Sequence, residues 1–285
     1  MALQYGRLVQ KAKPFVKWAG GKRQLIQVLS DNMPEKYGTY YEPFLGGGAF
    51  LFHILEQNPF QRCVVSDTNA DLILTYVTVR DRPEELIASL KRHAREYERD
   101  RRVYYGAIRA STPKSEVAKS SRLIFLNRTC FNGLYRVNKK GKFNVPIGSY
   151  MKPNIVNEEN IRATSSLLRA SRIKIICGDF ESIVRDATKG DFAYFDPPYK
   201  PVSKTASFTS YSADNFGDSE LDRLATLCNS LAKKRCYVMT TNSNVSGITD
   251  IFGGSWNVQR IVANRAINSN ANKRTGHKEL LLKNY

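Results

Sequence analysis

Two residue types with distinctive chemistry are scarce in this chain of 285 residues. It has five cysteines, none of them in a CxxC pair, and three histidines that lie far apart in the sequence. An odd number of unpaired cysteines argues against a disulfide framework and against a structural zinc site. We therefore expect a cytoplasmic protein in a reducing environment, with no metal site and no histidine acting as a catalytic base.

Long apolar runs are also lacking. No stretch approaches the roughly 20 apolar residues of a membrane span, and residues 1–13 lack the apolar region of a signal peptide. We expect no membrane partner. The hydrophobic content of 42% is ample for a core, and this length suits one large domain or one domain with an insertion.

Acidic residues are few relative to basic ones. The chain has 26 acidic and 44 basic residues, which gives a formal net charge of +18. So large an excess in an otherwise ordinary globular composition favours a polyanionic partner such as a nucleic acid. The alternative is a basic surface that only keeps the protein soluble.

The positive charge is concentrated between residues 114 and 152, where Glu116 is the only acid. Aromatic residues are interleaved with the basic ones. Residues 134–137 and 142–145, joined by a turn at 138–141, are predicted to form a β-hairpin. Such a hairpin suits DNA, because lysines such as Lys139 and Lys140 can contact phosphates while an arginine reads base edges in a groove. A charged surface excursion is the alternative.

The most informative stretch is Tyr194–Tyr199, which reads YFDPPY after an apolar run. The pattern predicts a buried strand that stops in a rigid loop, since each proline fixes its own φ and keeps the preceding residue extended. The loop presents the carboxylate of Asp196, carbonyl groups and the ring of Tyr199. These groups suit a planar base with an exocyclic amine, so the catalytic candidates are Asp196, Pro197, Pro198 and Tyr199. A proline-rich turn without function is the alternative.

A second signal is the glycine turn in residues 40–52, which read YYEPFLGGGAFLF. Glycines between a strand and a helix let a ligand approach the backbone. Leu51 stands where a dinucleotide fingerprint needs its third glycine, which argues against a NAD enzyme but not against S-adenosylmethionine. Asp67 ends a predicted strand about twenty residues later, where an acid can bind ribose hydroxyls. The Gly-Gly-Lys run ending at Lys22 lacks the full phosphate-loop spacing, because Arg23 follows it.

These motifs predict the fold class. The glycine turn, Asp67, Asp179 and the YFDPPY loop each follow a predicted strand, and residues 171–179 are expected to be a buried one. This predicts an open α/β, Rossmann-like sheet with helices on both faces and its ligand at the carboxyl ends of the strands. An inserted smaller domain containing the hairpin would recognise DNA. The expected division is a cofactor-binding half (1–75), the inserted domain (76–165) and a catalytic half (166–285).

From about Pro14 onward, the chain resembles the Dam-type (D12 class) DNA adenine-N6 methyltransferases. The resemblance rests on the motifs PFVKWAGGKRQL, YFDPPY, NRTCFNGLYR and GKFNVPIGSY. It implies S-adenosylmethionine as the cofactor, with contacts from Trp18, Lys22, Glu42, Phe44, Gly46, Gly48, Asp67, Asp179, Phe180 and Asp196. It implies, together with the two hairpin lysines, a DNA-binding set of Lys17, Arg128, Phe131, Asn132, Leu134, Arg136, Lys139, Lys140, Pro146 and Tyr150.

The resemblance also implies an activity. We expect direct methylation of adenine N6 in a GATC site of duplex DNA, after the base is flipped out of the stack. Residues 202–216 are expected to form a lid, and residues 264–277 a loop over the DNA. The expected partners are double-stranded DNA, bound by a monomer associated with the nucleoid, and, in function only, a cognate restriction endonuclease. The alternatives are a methyltransferase acting on RNA or a protein amide, and a basic DNA-binding regulator without turnover.

Overall fold

A computed structural model describes residues 11–199, 216–244, 247–263 and 277–285. The predicted lid and the predicted loop over the DNA lie outside the described residues, apart from the last residue of each. In chain order the strands are β1 (Tyr40–Glu42), β2 (Arg62–Asp67), β3 (Arg172–Cys177), β4 (Phe192–Phe195), β5 (Tyr237–Ser243), β6 (Asn257–Ala263) and β7 (His277–Lys283).

The strands form one sheet in the order β3-β2-β1-β4-β5-β7-β6. The first five strands of the chain pair with one another in parallel. Strand β7 runs antiparallel between β5 and β6. The predicted strands that end at Asp67 and in the YFDPPY loop are confirmed. Strand β6 was not predicted. It lies at the edge of the sheet. Its Val258 and Val262 are exposed, so these apolar residues do not form a buried face.

The helices are α1 (Ile26–Asp31), α2 (Ala49–Gln57), α3 (Ala70–Asp81), α4 (Pro83–Arg99), α5 (Arg101–Ala110), α6 (Glu116–Thr129), α7 (Glu158–Ala170), α8 (Phe180–Ile183), α9 (Asp218–Lys233) and α10 (Ile248–Phe252). Residues 70–110 form three helices, α3 to α5, which are separated by local chemistry. Pro83 occupies the first turn of α4, where its missing N–H has no cost. Asp100 caps α5 by accepting a hydrogen bond from the N–H of Val103.

Both faces of the sheet are covered by helices, as predicted. Tyr40 and Tyr194 point into one buried cluster, to which α2, α3, α4, α6 and α7 contribute. The next residue along each strand, Tyr41 and Phe195, points into a second cluster with α8, α9 and α10. The alternation follows from the period of two in a strand, and coverage of both faces is what a parallel sheet requires.

The prediction that residues 171–179 form a buried strand is wrong about burial. Strand β3 is the edge of the sheet, paired with β2 alone. Arg172 and Lys174 are exposed, while Ile173 and Ile175 pack against the larger core cluster. Ile176, on the other face, packs against the second cluster. The apolar run therefore marks a partly covered edge strand, which the sequence pattern does not distinguish from a central strand.

The region expected to be an inserted domain (76–165) packs on the same core as the sheet. Leu86, Tyr97 and Phe125 belong to the cluster that covers one face of the sheet. The predicted division into three parts stays a prediction. The hairpin turn at 138–141 is present, with the N–H of Asn138 bonded to the carbonyl of Lys142 at 2.9 Å. Its arms pair through isolated antiparallel bridges, between Val137 and Phe143 and between Cys130 and Ile147, instead of continuous strands.

No helix among the described residues has the length and apolar character needed to cross a membrane.

Candidate active site

Four acids lie at the carboxyl ends of four neighbouring parallel strands. Glu42 is the last residue of β1 and Asp67 the last residue of β2. Asp196 directly follows β4, and Asp179 comes two residues after β3. Because these strands are adjacent and parallel, the acids share one edge of the sheet, where open α/β sheets bind ligands.

The glycine turn lies directly beside this edge. Gly46 and Gly48 have φ angles of 47° and 67°, a region that favours glycine. Side chains at these positions would also collide with the protein. A Cβ on Gly46 would lie 2.8 Å from Cδ1 of Trp18, and one on Gly48 would lie 2.5 Å from the hydroxyl of Tyr76. Asp67 fixes the turn by accepting a hydrogen bond from the N–H of Gly46 at 3.0 Å.

The carboxylate of Asp196 is held at one oxygen. Its Oδ1 accepts a hydrogen bond from the hydroxyl of Thr241 at 2.8 Å and lies 2.8 Å from the ammonium of Lys22. In the part of the chain that the structure describes, Oδ2 has no such partner. Pro197 is buried and Pro198 exposed, so the loop leaves the core at this point. An incoming donor therefore has one free carboxylate oxygen to approach.

Lys22 is buried beside Asp196 and Tyr199. Only 6% of its side chain is exposed. Its ammonium donates to the carbonyl of Gly20 at 2.9 Å and lies 4.8 Å from the centroid of the Tyr199 ring. It is also 3.9 Å from Oε2 of Glu279. The structure thus brings this predicted cofactor residue into contact with the predicted catalytic residues.

Tyr199 is oriented by an acid that sequence reasoning missed. Its hydroxyl donates to Oε2 of Glu279 at 2.8 Å. Burial raises the pKa of Tyr199 well above its ordinary value, and the charges of Asp196 and Glu279 add to the effect. The phenol therefore remains a proton donor. Glu279 and Thr241 lie on two paired strands, β7 and β5. In the sequence, the only signal for Glu279 was its position directly before the apolar residues Leu280–Leu282.

Glu42 is one of two acids at this edge, with Asp67, whose pKa is raised by burial. It is buried, and its Oε2 accepts a hydrogen bond from the hydroxyl of Tyr40 at 2.8 Å. Burial raises the pKa of Glu42 to about 8, and the charge of Asp196 adds to this shift. Glu42 is therefore mostly protonated at neutral pH until a cation lies beside it.

Aromatic side chains close the other end of the same edge. The rings of Phe44 and Phe180 stack at a centroid distance of 5.3 Å, and Phe216 contacts Phe44 edge-on at 5.8 Å. Arg223 lies 4.4 Å above the ring of Phe180 and forms an ion pair with Asp179. Arg223 was not predicted, because it belongs to no motif, whereas Phe216 is the last residue of the predicted lid. Together these residues form a surface that suits a flat ring with a polar edge.

Several predicted DNA-binding residues converge on one surface next to the glycine turn. The ammonium of Lys17 is 3.2 Å from the hydroxyl of Tyr150 and 4.3 Å from the centre of its ring. The stem of Lys17 lies against Gly133, where a side chain would collide with it. Phe131 is 43% exposed, and its N–H bonds to the carbonyl of Pro146.

Asn127, a buried residue of α6 that was not predicted, connects this surface to the segment that packs on the glycine turn. Its side chain accepts from the N–H of Lys17 at 2.7 Å and donates to the carbonyls of Lys17 and Gly133. Trp18, which follows Lys17 in the chain, stacks on Tyr135 at a centroid distance of 5.3 Å and packs against Gly46 in the glycine turn. One short segment therefore contacts both predicted binding regions.

Two predicted DNA-binding arginines make internal contacts. Arg128 donates to the carbonyl of Phe15 at 2.8 Å, and burial lowers the pKa of its guanidinium. Nε of Arg136 donates to the side chain of Asn144 across the hairpin at 2.7 Å. The structure thus gives both residues a role in local packing, and their contact with DNA stays a prediction.

The remaining predicted DNA contacts occupy different environments. Lys139 and Lys140 are exposed at the hairpin tip, where Asn138 caps the turn by accepting from the N–H of Lys140. Asn132 has a φ of 54° in the turn that carries Phe131. Leu134 is half-buried against the core. The lysines are therefore available to a phosphate backbone, whereas Leu134 supports the turn.

The sheet and the residues at its carboxyl edge define a Rossmann-like methyltransferase. The comparison with known proteins makes this more specific, since residues 18–267 match the family profile of the D12 class N6 adenine-specific DNA methyltransferases. The chain belongs to this family, and it is an enzyme that methylates adenine N6 in DNA.

Individual relatives agree over nearly the whole length. The chain is 43% identical to the Type II methyltransferase M.MjaIII of Methanocaldococcus jannaschii, over 96% of this chain and all of that one. It is 41% identical to the Type II methyltransferase M1.LlaDCHI of Lactococcus lactis, over 98% and 99% of the two chains. It is 34% identical to the DNA adenine methylase of Vibrio cholerae, over 96% of each chain. The predicted family is confirmed, and the alternatives of an RNA or protein-amide methyltransferase and of a regulator without turnover are set aside.

Proposed function

We propose that this enzyme transfers a methyl group from S-adenosylmethionine directly to N6 of an adenine that is flipped out of duplex DNA at GATC. The observation that supports this most strongly is the cluster around Asp196. One of its carboxylate oxygens is held by Lys22 and Thr241, and the ring of Tyr199 lies beside it, fixed by Glu279.

The residues at the carboxyl edge fit S-adenosylmethionine, which would supply an electrophilic methyl group. Asp67 suits the ribose hydroxyls, and Asp179 with the rings of Phe44 and Phe180 suits an adenine ring. Glu42 suits a cationic ammonium, which would favour ionisation of its buried carboxyl. Acceptors predominate at this edge, and the proposed cofactor is rich in N–H and O–H donors and carries a positive charge. The fit is thus one of complementary hydrogen bonding and charge.

The chemistry at N6 follows from the charges nearby. The lone pair of an adenine amine is delocalised into its ring, so the amine is a weak nucleophile. If Asp196 Oδ2 and the carbonyl of Pro197 accept its two hydrogens, the nitrogen is drawn towards a tetrahedral form. Positive charge then grows on the nitrogen, and the carboxylate and the face of Tyr199 stabilise it. Lys22 carries one formal positive charge against two carboxylates, which leaves the cluster net negative.

A base inside a duplex cannot reach this edge of the sheet. Flipping it out costs a few kcal/mol, and an inserted apolar side chain can occupy the space that it leaves. Phe131 is suited to this role, because it is an exposed aromatic on the surface that carries Lys17 and Tyr150. Lys139 and Lys140 would contact phosphates, with one monomer bound to one site.

The target and the setting rest on resemblance and on the names of relatives. Segments close to FNGLYR and KFNVP occur in enzymes that methylate GATC, and Arg136 in the first of these segments would read a guanine. Two relatives are named Type II methyltransferases. We therefore place this enzyme beside a restriction endonuclease of the same specificity, acting on nucleoid DNA without a physical complex.

Labelled methyl transfer tests this proposal. The enzyme is given S-adenosylmethionine with a labelled methyl group and a duplex with a single GATC site, and the products are digested to nucleosides. The label should appear in N6-methyldeoxyadenosine, and a duplex already methylated at both adenines should accept none. 2-Aminopurine at the target position should fluoresce more strongly on binding, as expected for a flipped base. Labelling of cytosine, or equal labelling of duplexes without GATC, would contradict the proposal.

A further inference from the structure

The cluster around Asp196 consists of Asp196, Lys22, Tyr199, Thr241 and Glu279. Within it, Glu279 comes from β7, the last strand of the chain. It lies opposite Ser243 in the antiparallel pair of β7 and β5. Its side chain is 6% exposed, and its Oε2 contacts the hydroxyl of Tyr199 and lies 3.9 Å from the ammonium of Lys22. Both of these neighbours also lie beside Asp196. Among the described residues, the contacts of this carboxylate are thus with members of the candidate site.

The sheet itself does not require an acid here. Strand pairing uses the backbone, and the neighbouring residues of β7, Leu280 to Leu282, are buried and apolar. Removing a carboxylate from water is costly unless it is paired and hydrogen-bonded. The two partners of Glu279 that meet this need are both residues of the catalytic cluster. Its placement is therefore explained by the site and not by packing.

Contacts of its hydroxyl and ring hold Tyr199 in place: the hydroxyl bonds to Glu279 and contacts Thr241, and the ammonium of Lys22 lies 4.8 Å from the ring centroid. Tyr199 is the last described residue before the gap at 200–215. Two prolines precede it and fix the backbone, but the torsion angles of its own side chain depend on contacts. Burial and neighbouring negative charge keep its phenol protonated, so the hydrogen bond runs from tyrosine to carboxylate. The bond to Glu279 and the contact with Thr241 together set the direction in which the ring faces.

We infer that Glu279 is a positioning residue for methyl transfer, which acts by holding the ring of Tyr199 against the target base. This inference rests on the proposed function. Glu279 does not touch the reacting atoms. It fixes the aromatic face that stabilises the cationic nitrogen, and its loss leaves that face free to rotate away.

A double-mutant cycle tests the inference, using Glu279→Ala, Tyr199→Phe and the combination of the two. The measured quantity is the single-turnover rate of methylation on a GATC duplex. Glu279→Ala should lower the rate about tenfold, corresponding to a small loss of transition-state stabilisation. In the Tyr199→Phe background, where no hydroxyl remains to be held, the same change should cost less than about twofold. Glu279→Gln retains an acceptor without the charge and should restore most of the rate.

A control acid separates positioning from folding. Asp191 is a buried carboxylate at the opposite end of β4, where it accepts from the N–H of Thr39 and of Thr188. Asp191→Ala should lower thermal stability, and its effect on the rate should be the same with Tyr199 and with Phe at that position. The dissociation constants for S-adenosylmethionine and for DNA, measured separately, should change little in Glu279→Ala.

Two results would overturn the inference. An equal loss of rate from Glu279→Ala in both backgrounds would show that the residue acts through Lys22 or through folding. A rate for Glu279→Ala equal to that of the parent would show that the ring needs no support. Failure of the proposed function is distinguishable, because the parent itself would then not methylate adenine in DNA.

Discussion

At the scale of single residues, the site depends on acids that differ in their partners. Asp196 accepts from the ammonium of Lys22 and the hydroxyl of Thr241. Glu42 accepts from a neutral phenol, that of Tyr40, and is more completely buried. The first is therefore set against a cation, whereas the second is neutral until a cation reaches it. In the proposed mechanism, the same residue class would thus provide one acceptor for the base and another for a charged ligand.

The role of Asp196 can be tested by removing its carboxylate. Asp196→Ala should abolish methyl transfer and leave DNA binding largely intact, because the carboxylate would act on the extruded base and not on phosphates. Asp196→Asn separates charge from hydrogen bonding, since the amide can still accept. Methylation rates and binding isotherms on the same duplex give both quantities. A rate within tenfold of the parent would remove Asp196 from the proposed mechanism.

The protonation of Glu42 predicts a pH dependence of stability. Burial raises its pKa to about 8 from an ordinary value of 4.5. The folded state therefore binds this proton more tightly than the unfolded state, so its contribution to stability is fully present below about 4.5 and is lost as the pH rises through 8.

Glu42→Gln should remove this dependence and keep the acceptor for Tyr40. Melting temperatures of parent and variant should therefore diverge in favour of the variant between pH 5 and pH 9. The exposed Glu159 provides the control, since Glu159→Gln should leave the profile of the parent unchanged. Parallel profiles for Glu42→Gln and the parent would show that Glu42 ionises normally in the fold.

At the scale of elements, the hairpin and helix α6 determine how the DNA-binding surface meets the site. The hairpin has only isolated bridges, and the bond from Arg136 to Asn144 spans its arms. Asn127 of α6 connects the turn at Gly133 with the segment of Lys17. A rearrangement of the hairpin on DNA would therefore shift the segment of Lys17 and Trp18, which packs on the glycine turn.

Arg136 is predicted to read a guanine of the target. Arg136→Ala should lower the discrimination between GATC and duplexes altered at that base pair by about 1–3 kcal/mol. Asn144→Ala is a matched control, because it removes the same bond within the hairpin and keeps the guanidinium. It should therefore retain the discrimination. If both variants lose it equally, the bond across the hairpin determines specificity and not a contact from Arg136 to the base.

At the scale of the whole molecule, the formal charge of +18 should govern affinity for any duplex. The charge is not spread evenly, because residues 114–152 contain a single acid, Glu116, and the hairpin tip in this segment exposes Lys139 and Lys140. Counterion release makes each phosphate contact contribute about one unit to the slope of log affinity against log salt.

Replacing Lys139 and Lys140 together with Ala should lower this slope by about two units for every sequence. Lys36 and Lys189 are the control pair, since both are exposed and precede the amino ends of β1 and β4, at the opposite edge of the sheet. Their removal should lower the slope less. An effect of the hairpin variant confined to one target sequence would mean that these lysines read bases.

The sequence alone predicts much of this enzyme, and it does so where the chemistry is local. The YFDPPY loop, the glycine turn, the turn at 138–141 and the strand ending in Asp67 were all predicted. Each of them depends on a few consecutive residues, because prolines, glycines and apolar alternation restrict the backbone directly. The family itself could be recognised from the same short motifs.

Tertiary structure alone decides the rest. Strand β7 lies between β5 and β6, which brings Glu279 to Tyr199 across 80 residues of chain. Burial sets the raised pKa of Glu42, and the edge position of β3 leaves its charged residues exposed. These properties follow from which strands pair and which faces are covered. Such choices depend on the free energy of packing the whole chain, and no short stretch of sequence contains them.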